Sequence, residues 1–134
     1  TGGSMIVIGQ NRNLLKEVVL NFMDFFIDES CGSCVPCRAL TPVLKNKLTN
    51  LIQGNGCKQD IDEMLKLSRT MKVLNRCGLG QTAANPILTT IENFREKYEA
   101  LAKEPSADGV YHFDLKASVK ESCDVVKREV KIHA

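Results

Sequence analysis

The sequence predicts an all-α protein organised as a four-helix bundle. Between Asn13 and Leu101, apolar residues recur at intervals of three and four in four separate stretches, which is the spacing of amphipathic helices. The segments that separate these stretches are short and contain polar residues and glycine, as connections in small bundles do. A brief β-prone run at residues 5–8 precedes the helices, and we expect it to be a strand remnant of a preceding domain.

The composition is that of a soluble globular protein. Its 134 residues suffice for one domain with its own core, and 43% of them are hydrophobic and 25% are charged. The net charge of +2 is spread along the chain without a basic cluster, so nucleic acid is not an expected partner. No apolar run approaches the roughly 18 residues of a membrane-spanning helix, and no signal peptide is recognisable. We therefore expect a cytoplasmic protein that does not insert into a membrane.

The first helix is predicted to begin after Asn13, whose side chain can accept a hydrogen bond from a free backbone N–H group. It should lead directly to Cys31. Its predicted core face consists of seven apolar residues at helical spacing, namely Leu14, Leu15, Val18, Val19, Phe22, Phe25 and Phe26.

The second helix is predicted to reach about Gln53 and to stop at the Gly-Asn-Gly segment 54–56. Its start is open, because Pro36 or Pro42 could each occupy the first turn. A proline inside an established helix removes a backbone hydrogen bond. We therefore expect a kinked or two-part helix here.

The third helix is predicted to begin at Asp60, which with Glu63 resembles a capping box, and to end near Leu74. After it, the segment Asn-Arg-Cys-Gly-Leu-Gly-Gln-Thr is expected to form a loop. This loop carries Cys77, which glycines follow at positions 78 and 80.

The fourth helix is predicted to start at Asn85-Pro86, with asparagine as the cap and proline in the first turn. Its apolar stripe consists of Ile87, Leu88, Ile91, Phe94, Tyr98 and Leu101. A further amphipathic helix is expected near the C-terminus, with the stripe Leu115, Val119, Cys123, Val126 and Val130. We divide the chain into the end of a preceding domain or a linker at 1–12, a helical domain at 13–102, and a linker with the C-terminal helix at 103–134.

The cysteine spacing predicts an iron-sulfur site. Cys31, Cys34 and Cys37 follow the pattern C-x-x-C-x-x-C, so that one short loop can turn three thiolates towards a common centre. A [4Fe-4S] cluster needs one more thiolate. Cys77 is the natural fourth ligand, because its neighbouring glycines let the backbone approach a bulky inorganic group. Cys57, in the preceding loop, is the competitor for this role.

Helix starts near these cysteines would favour an anionic cluster. One helix is expected to begin just after Cys37 and another shortly after Cys77, and free N–H groups at a helix start attract negative charge. Arg38 and Arg76 each adjoin a proposed ligand and could stabilise thiolates, or they could be ordinary surface charges.

Two other functions compete with the iron-sulfur interpretation. A zinc-stapled helical interaction module without redox activity would use the same thiols, but zinc sites usually combine two separated pairs of ligands. A dithiol oxidoreductase would use Cys31 and Cys34, but that motif normally follows a β-strand. His112 and His133 have no partner at a meaningful spacing, and we assign no general acid, base or nucleophile.

Two motifs resemble a known family. The segment ESCGSCVPCR, followed 40 residues after its last cysteine by RCGLGQTAANPILTTIENFREKYE, is similar to the C-terminal iron-sulfur domain of the NADH-binding flavoprotein subunit of respiratory complex I and of NAD-reducing hydrogenases. The resemblance covers about residues 1–101. The segment CGLGQTAANP and the tail HFDLKASVKESCDVVKREV look more like the hydrogenase diaphorase branch.

The resemblance implies that Cys31, Cys34, Cys37 and Cys77 bind one [4Fe-4S] cluster within a four-helix bundle. It also implies an upstream domain that binds FMN and NADH, so the chain, which begins at Thr1, would be a piece of a longer oxidoreductase subunit. The expected partners are that upstream flavin domain and a ferredoxin-like iron-sulfur subunit, to which the cluster would pass single electrons.

Overall fold

The described part of the chain is a helical bundle around one apolar core. A computed structural model describes residues 5–103 together with residues 124 and 125. A π-helical segment, Leu14–Val19, leads into five α-helices: α1 (Leu20–Asp28), α2 (Val35–Ile52), α3 (Lys58–Leu74), the short α4 (Gly78–Thr82) and α5 (Asn85–Glu99). No sheet occurs within these residues. The all-α class is confirmed.

Two predicted additions to the bundle have different outcomes. Residues 5–8 do not form a strand, so the predicted β remnant is wrong for this structure; a strand requires a neighbouring backbone to pair with, and no described backbone pairs with this segment. The predicted C-terminal helix lies outside the described residues, apart from the helical residues Asp124 and Val125. The chain separates into two units, Thr1–Glu104 and Pro105–Ala134.

The first helix begins as predicted, but its buried face differs from the predicted face at Met23 and Phe25. The side chain of Asn13 accepts a hydrogen bond from the Lys16 N–H group at 3.0 Å, which confirms the cap. A π-helical turn with i to i+5 hydrogen bonds then shifts the register of the residues that follow. Met23 is consequently fully buried, whereas Phe25, predicted in the core, is 52% exposed.

Helix α2 is continuous through both prolines, so of the two expected forms, a kinked helix or a two-part helix, the two-part form is wrong. Pro36 lies in its first turn and Pro42 lies inside it. The Thr41 hydroxyl donates to the Cys37 carbonyl oxygen at 2.8 Å in the turn that contains Pro42. The helix also packs against both α1 and α3 through Leu44, Leu48 and Leu51, which are fully buried, and this packing offsets the lost backbone hydrogen bond.

Helix α5 starts one residue earlier than predicted, with Ala84 as its cap and Asn85 as its first residue. Its apolar stripe is interrupted at Phe94, which has the non-helical angles φ −139° and ψ 40° and is 41% exposed. Beyond this kink the fully buried Tyr98 returns to the core. Its hydroxyl forms a hydrogen bond of 2.6 Å with the Thr90 hydroxyl, which satisfies the polar end of a buried ring.

The core joins the four longer helices and the π-helical segment. Its fully or almost fully buried side chains are Leu15, Val19, Met23, Leu44, Leu48, Leu51, Ile61, Met64, Met71, Ile87, Ile91 and Tyr98. Among the described residues, no helix is both long enough and apolar enough to cross a membrane.

The shifted register of the first helix can be tested with two substitutions. We expect Met23→Ala to lower the free energy of unfolding by about 2 to 5 kcal/mol, because it leaves a cavity in the core. Phe25→Ala is the matched control on the same helix and should lower the free energy of unfolding by about 1 kcal/mol or less. Phe25 is half exposed, and its ring contacts the Phe26 ring edge-on. Urea unfolding measures both values. A larger loss of unfolding free energy in Phe25→Ala than in Met23→Ala would instead support the register predicted from the sequence.

Candidate metal centre

The three-cysteine loop, residues 29–37, runs from the end of α1 into the first turn of α2. Gly32 adopts φ +72°, a left-handed conformation that glycine enters without strain, and so turns the chain back towards α2. The Arg38 guanidinium donates a hydrogen bond to the Gly32 carbonyl oxygen. Arg38 therefore holds the loop against the first turn of the helix, a structural role that the sequence did not indicate.

The three thiols of this loop differ in their surroundings. Cys31 is exposed, Cys34 is half-buried as the N-cap residue of α2, and Cys37 is only 6% exposed in the first turn of that helix. The Cys37 sulfur lies 3.4 Å from the Ser30 hydroxyl oxygen. The loop thus places one proposed ligand inside the protein and leaves another at its surface.

Cys77 is the N-cap residue of the short helix α4. The Gly80 N–H group donates a hydrogen bond to the Cys77 sulfur at 3.5 Å, and the thiol is otherwise exposed. The sequence predicted a loop here, and that prediction is wrong, because residues 78–82 form a helical turn. This turn is what directs a backbone donor towards the sulfur.

A buried asparagine holds the Cys77 turn in place. The Asn75 side-chain amide donates to the carbonyl oxygens of Met71 at 3.0 Å and Gly80 at 2.8 Å, and the Gln81 side chain donates to the Asn75 carbonyl oxygen at 3.0 Å. A Cβ atom on Gly80 would lie 2.9 Å from the Cβ of Asn75. Sequence reasoning missed Asn75, although a polar residue at the end of a helix and just before a ligand is a usable signal.

Cys57, the competitor for the fourth position, already has a structural role. It is the N-cap residue of α3, and its sulfur lies 3.4 Å from a carboxylate oxygen of Asp60, which accepts the Cys57 N–H at 2.9 Å. The predicted capping box of Asp60 with Glu63 is therefore wrong: the box is formed one turn earlier by Cys57 and Asp60, and Asp60 is the third residue of α3. Lys47 bonds to Asp60 at 2.8 Å and to Glu63 at 2.7 Å.

Asp60 is charged under ordinary conditions because of these contacts. Burial acts to raise the pKa of its carboxyl group, but the hydrogen bonds from Lys47 and from the Cys57 N–H outweigh burial and hold that pKa below the ordinary value of 3.8. The negative charge is thus engaged in a cap and an ion pair.

A four-iron cluster and a single metal ion require different spacings between their thiolate ligands. Within residues 5–103, 124 and 125, no three His, Cys, Asp or Glu side chains come close enough together to hold one metal ion. A single tetrahedral zinc, with Zn–S bonds of about 2.3 Å, would require sulfurs within about 4 Å of one another. A four-iron cluster binds each thiolate through a different iron, so its ligands lie farther apart. Helix α2, which begins after the loop, is in contact with α4, which begins after Cys77.

Arg76 and three residues beyond residue 103 are the remaining sequence candidates. Arg76 is exposed and makes no ion pair with another described residue. His112, His133 and Cys123 lie outside the described residues.

Residues 17–101 match the family described as the NADH-ubiquinone oxidoreductase-F iron-sulfur binding region. This segment contains both the three-cysteine loop and Cys77. The chain belongs to this family. Its cofactor is a [4Fe-4S] cluster, so the cofactor expected from the soft thiolate donors and their spacing is confirmed.

Two relatives and one solved structure are similar to this iron-sulfur region. It is 43% identical over 97 residues to the NAD-reducing hydrogenase HoxS subunit alpha of Cupriavidus necator, covering 72% of the chain and 16% of the relative. It is 35% identical over 104 residues to the NADH-quinone oxidoreductase F subunit from Rickettsia rickettsii, covering 78% and 24%. A crystal structure of an H2-reduced NAD+-reducing [NiFe]-hydrogenase superposes with a TM-score of 0.70 at 27% identity, covering 92% and 21%. The chain thus spans about a fifth of these proteins.

The ion pair at Asp60 makes stability depend on pH. Because the folded pKa of Asp60 is depressed, its contribution is complete above the unfolded pKa near 3.8 and is lost as pH falls through the lower folded value. We expect Asp60→Asn to lower the unfolding free energy by about 1 to 2 kcal/mol relative to wild type at pH 7. This gap between wild type and variant should narrow as the pH falls from 4 to 2. Glu96→Gln, an exposed control, should shift stability by less than about 0.5 kcal/mol. A gap that stays constant across this range would contradict the assigned ion pair.

The tight packing of the Cys77 turn is testable with two glycines of the same helix. Gly80→Ala should destabilise the protein by about 1 to 3 kcal/mol, because Asn75 is buried and held by three hydrogen bonds and cannot move aside freely. Gly78→Ala places its Cβ in open space and should be neutral or up to about 1 kcal/mol stabilising. Denaturant unfolding compares them, and equal effects would argue against this packing.

Proposed function

We propose that Cys31, Cys34, Cys37 and Cys77 bind one [4Fe-4S] cluster that relays single electrons between an NADH-linked FMN site and a ferredoxin-like partner subunit. The observation that carries the proposal is the position of these thiols. Three stand in the loop and first turn that open α2, and the fourth opens α4, so backbone N–H groups accompany the sulfurs.

Helix geometry supports the binding of an anion at these positions. The first N–H groups of a helix have no partner within the helix, and the helix dipole adds partial positive charge at that end. Cys34 and Cys77 are both N-cap residues, which places them beside such groups; Gly80 donates to the Cys77 sulfur, whereas the Cys34 side chain makes no capping hydrogen bond. A thiolate at either site is therefore better stabilised than a thiolate in an ordinary loop.

The unequal exposure of the thiols supports a relay. Cys37 is buried against the bundle, whereas Cys31 and Cys77 are exposed. The proposed site is therefore anchored on one side and accessible on the other, and a partner that approaches the exposed side shortens the electron-transfer distance. A bound [4Fe-4S] cluster supplies a carrier for one electron at a time, whose potential the protein adjusts through burial and hydrogen bonds.

The relatives are the basis for including a flavin and a nicotinamide nucleotide in the proposal. The names of the two relatives include NAD-reducing hydrogenase and NADH-quinone oxidoreductase, and the iron-sulfur region occupies 16 to 24% of their length. We place the FMN and NADH sites in another part of such a subunit. In this arrangement the parent is an NAD(H)-dependent oxidoreductase, and the region itself contributes no acid, base or nucleophile. The domain boundaries and the cytoplasmic location also stay predictions.

The ligand set is tested by two cysteine substitutions in the full chain, reconstituted anaerobically with iron and sulfide. Wild type should bind about four irons per chain and show a visible charge-transfer band. Cys77→Ser should lose most of the iron, because one of four thiolates is missing. Cys57→Ser is the matched control and should keep the iron, since the serine hydroxyl can still cap α3.

The same samples also distinguish the competing functions by elemental analysis. Stoichiometric zinc in place of iron in wild type would support the zinc-stapled interaction module. If Cys77→Ser keeps its full iron content and Cys57→Ser loses it, the fourth ligand of the cluster is Cys57.

A further inference from the structure

The Ser30 hydroxyl stands beside the buried sulfur of Cys37. Its oxygen lies 3.4 Å from that sulfur, and the two residues are brought together by the turn between α1 and α2. Among the side chains of the described residues, Ser30 is the one that forms a hydrogen bond to the sulfur of a proposed ligand. The nearby Thr41 hydroxyl bonds instead to the Cys37 carbonyl oxygen.

The direction of this hydrogen bond follows from the chemistry of a metal-bound cysteine. A thiolate has no proton to donate, so the hydroxyl must be the donor. The Ser30 oxygen in turn accepts a hydrogen bond from the Gly32 N–H group at 3.3 Å. This second contact occupies one lone pair of the oxygen and leaves the hydroxyl proton available for the sulfur.

The surroundings keep this geometry and strengthen the interaction. Arg38 bonds to the Gly32 carbonyl oxygen, and thereby restrains the residue whose own N–H group bonds to the Ser30 oxygen. Cys37 is 6% exposed and Ser30 is half-buried, so water competes poorly for the sulfur. Hydrogen bonds are electrostatically stronger in such a low-dielectric environment than in water.

We propose that Ser30 is a positioning residue that donates a hydrogen bond to the Cys37 thiolate and thereby raises the reduction potential of the iron-sulfur site. The inference rests on the proposed function, in which Cys37 is a ligand. Reduction adds one electron, part of whose charge is shared with the ligand sulfurs. A donor at the sulfur stabilises the more negative, reduced form more than the oxidised form.

The experiment uses the full chain, reconstituted anaerobically, as wild type, Ser30→Ala, Ser30→Thr and Ser33→Ala. Ser30→Thr keeps the hydroxyl, and its extra methyl group has space in an adjoining cavity of about 200 Å³ lined in part by Ser30, Gly32 and Cys37. Ser33 is an exposed serine of the same loop with no side-chain hydrogen bond to another described residue, so it serves as the control. A redox titration with dithionite, followed by electron paramagnetic resonance, gives each midpoint potential.

We expect Ser30→Ala to shift the reduction equilibrium roughly tenfold towards the oxidised form, which for one electron is about 59 mV. Ser30→Thr and Ser33→Ala should keep the wild-type potential. If Ser30→Ala assembles too little cluster to titrate, retention of iron and potential in Ser30→Thr still supports the hydroxyl donor. Loss of iron in both Ser30 variants overturns it, as does a potential that is unchanged in Ser30→Ala.

These outcomes are separate from a failure of the proposed function. An unchanged potential in a fully loaded Ser30→Ala protein removes the role of Ser30 and leaves the four cysteine ligands standing. A wild-type chain that takes up no iron, or a Cys37→Ser variant that binds it fully, removes the ligand assignment itself.

Discussion

The structure depends on the pairing of cysteine sulfur with the start of a helix. Cys34, Cys57 and Cys77 are N-cap residues of α2, α3 and α4, and at each of these positions the first N–H groups of a helix require an acceptor. Cys57 shows what such a residue does for the fold, because it completes a capping box with Asp60. At Cys34 and Cys77 the same position beside a helix start would favour the thiolate form that the proposed ligands need.

The rest of the bundle serves to hold these helix starts. Leu44, Leu48 and Leu51 fix α2 in the core, so the loop that precedes it is anchored at its far end. Asn75 does the same for α4 through hydrogen bonds to two carbonyl oxygens. Side chains that touch no metal therefore determine where the sulfurs stand, which is the general role of residues that surround a metal centre.

The burial of the thiols connects this architecture to electron transfer. Cys37 faces the protein interior beside Ser30, while Cys31 and Cys77 face outwards. The interior side can adjust a potential through hydrogen bonds and low dielectric, and the exterior side can meet a partner.

The sequence by itself determined the all-α class, the cap at Asn13, the end of α2 and the four candidate ligands, because each depends on local spacing or on one residue type. The tertiary structure decided where the buried residues depart from the predicted apolar stripes. The π-helical turn exchanged Phe25 for Met23 in the core, and a backbone kink exposed Phe94. Hydrophobic periodicity assumes regular hydrogen bonding along a helix, and it cannot register a change in that bonding or a contact made with a distant helix.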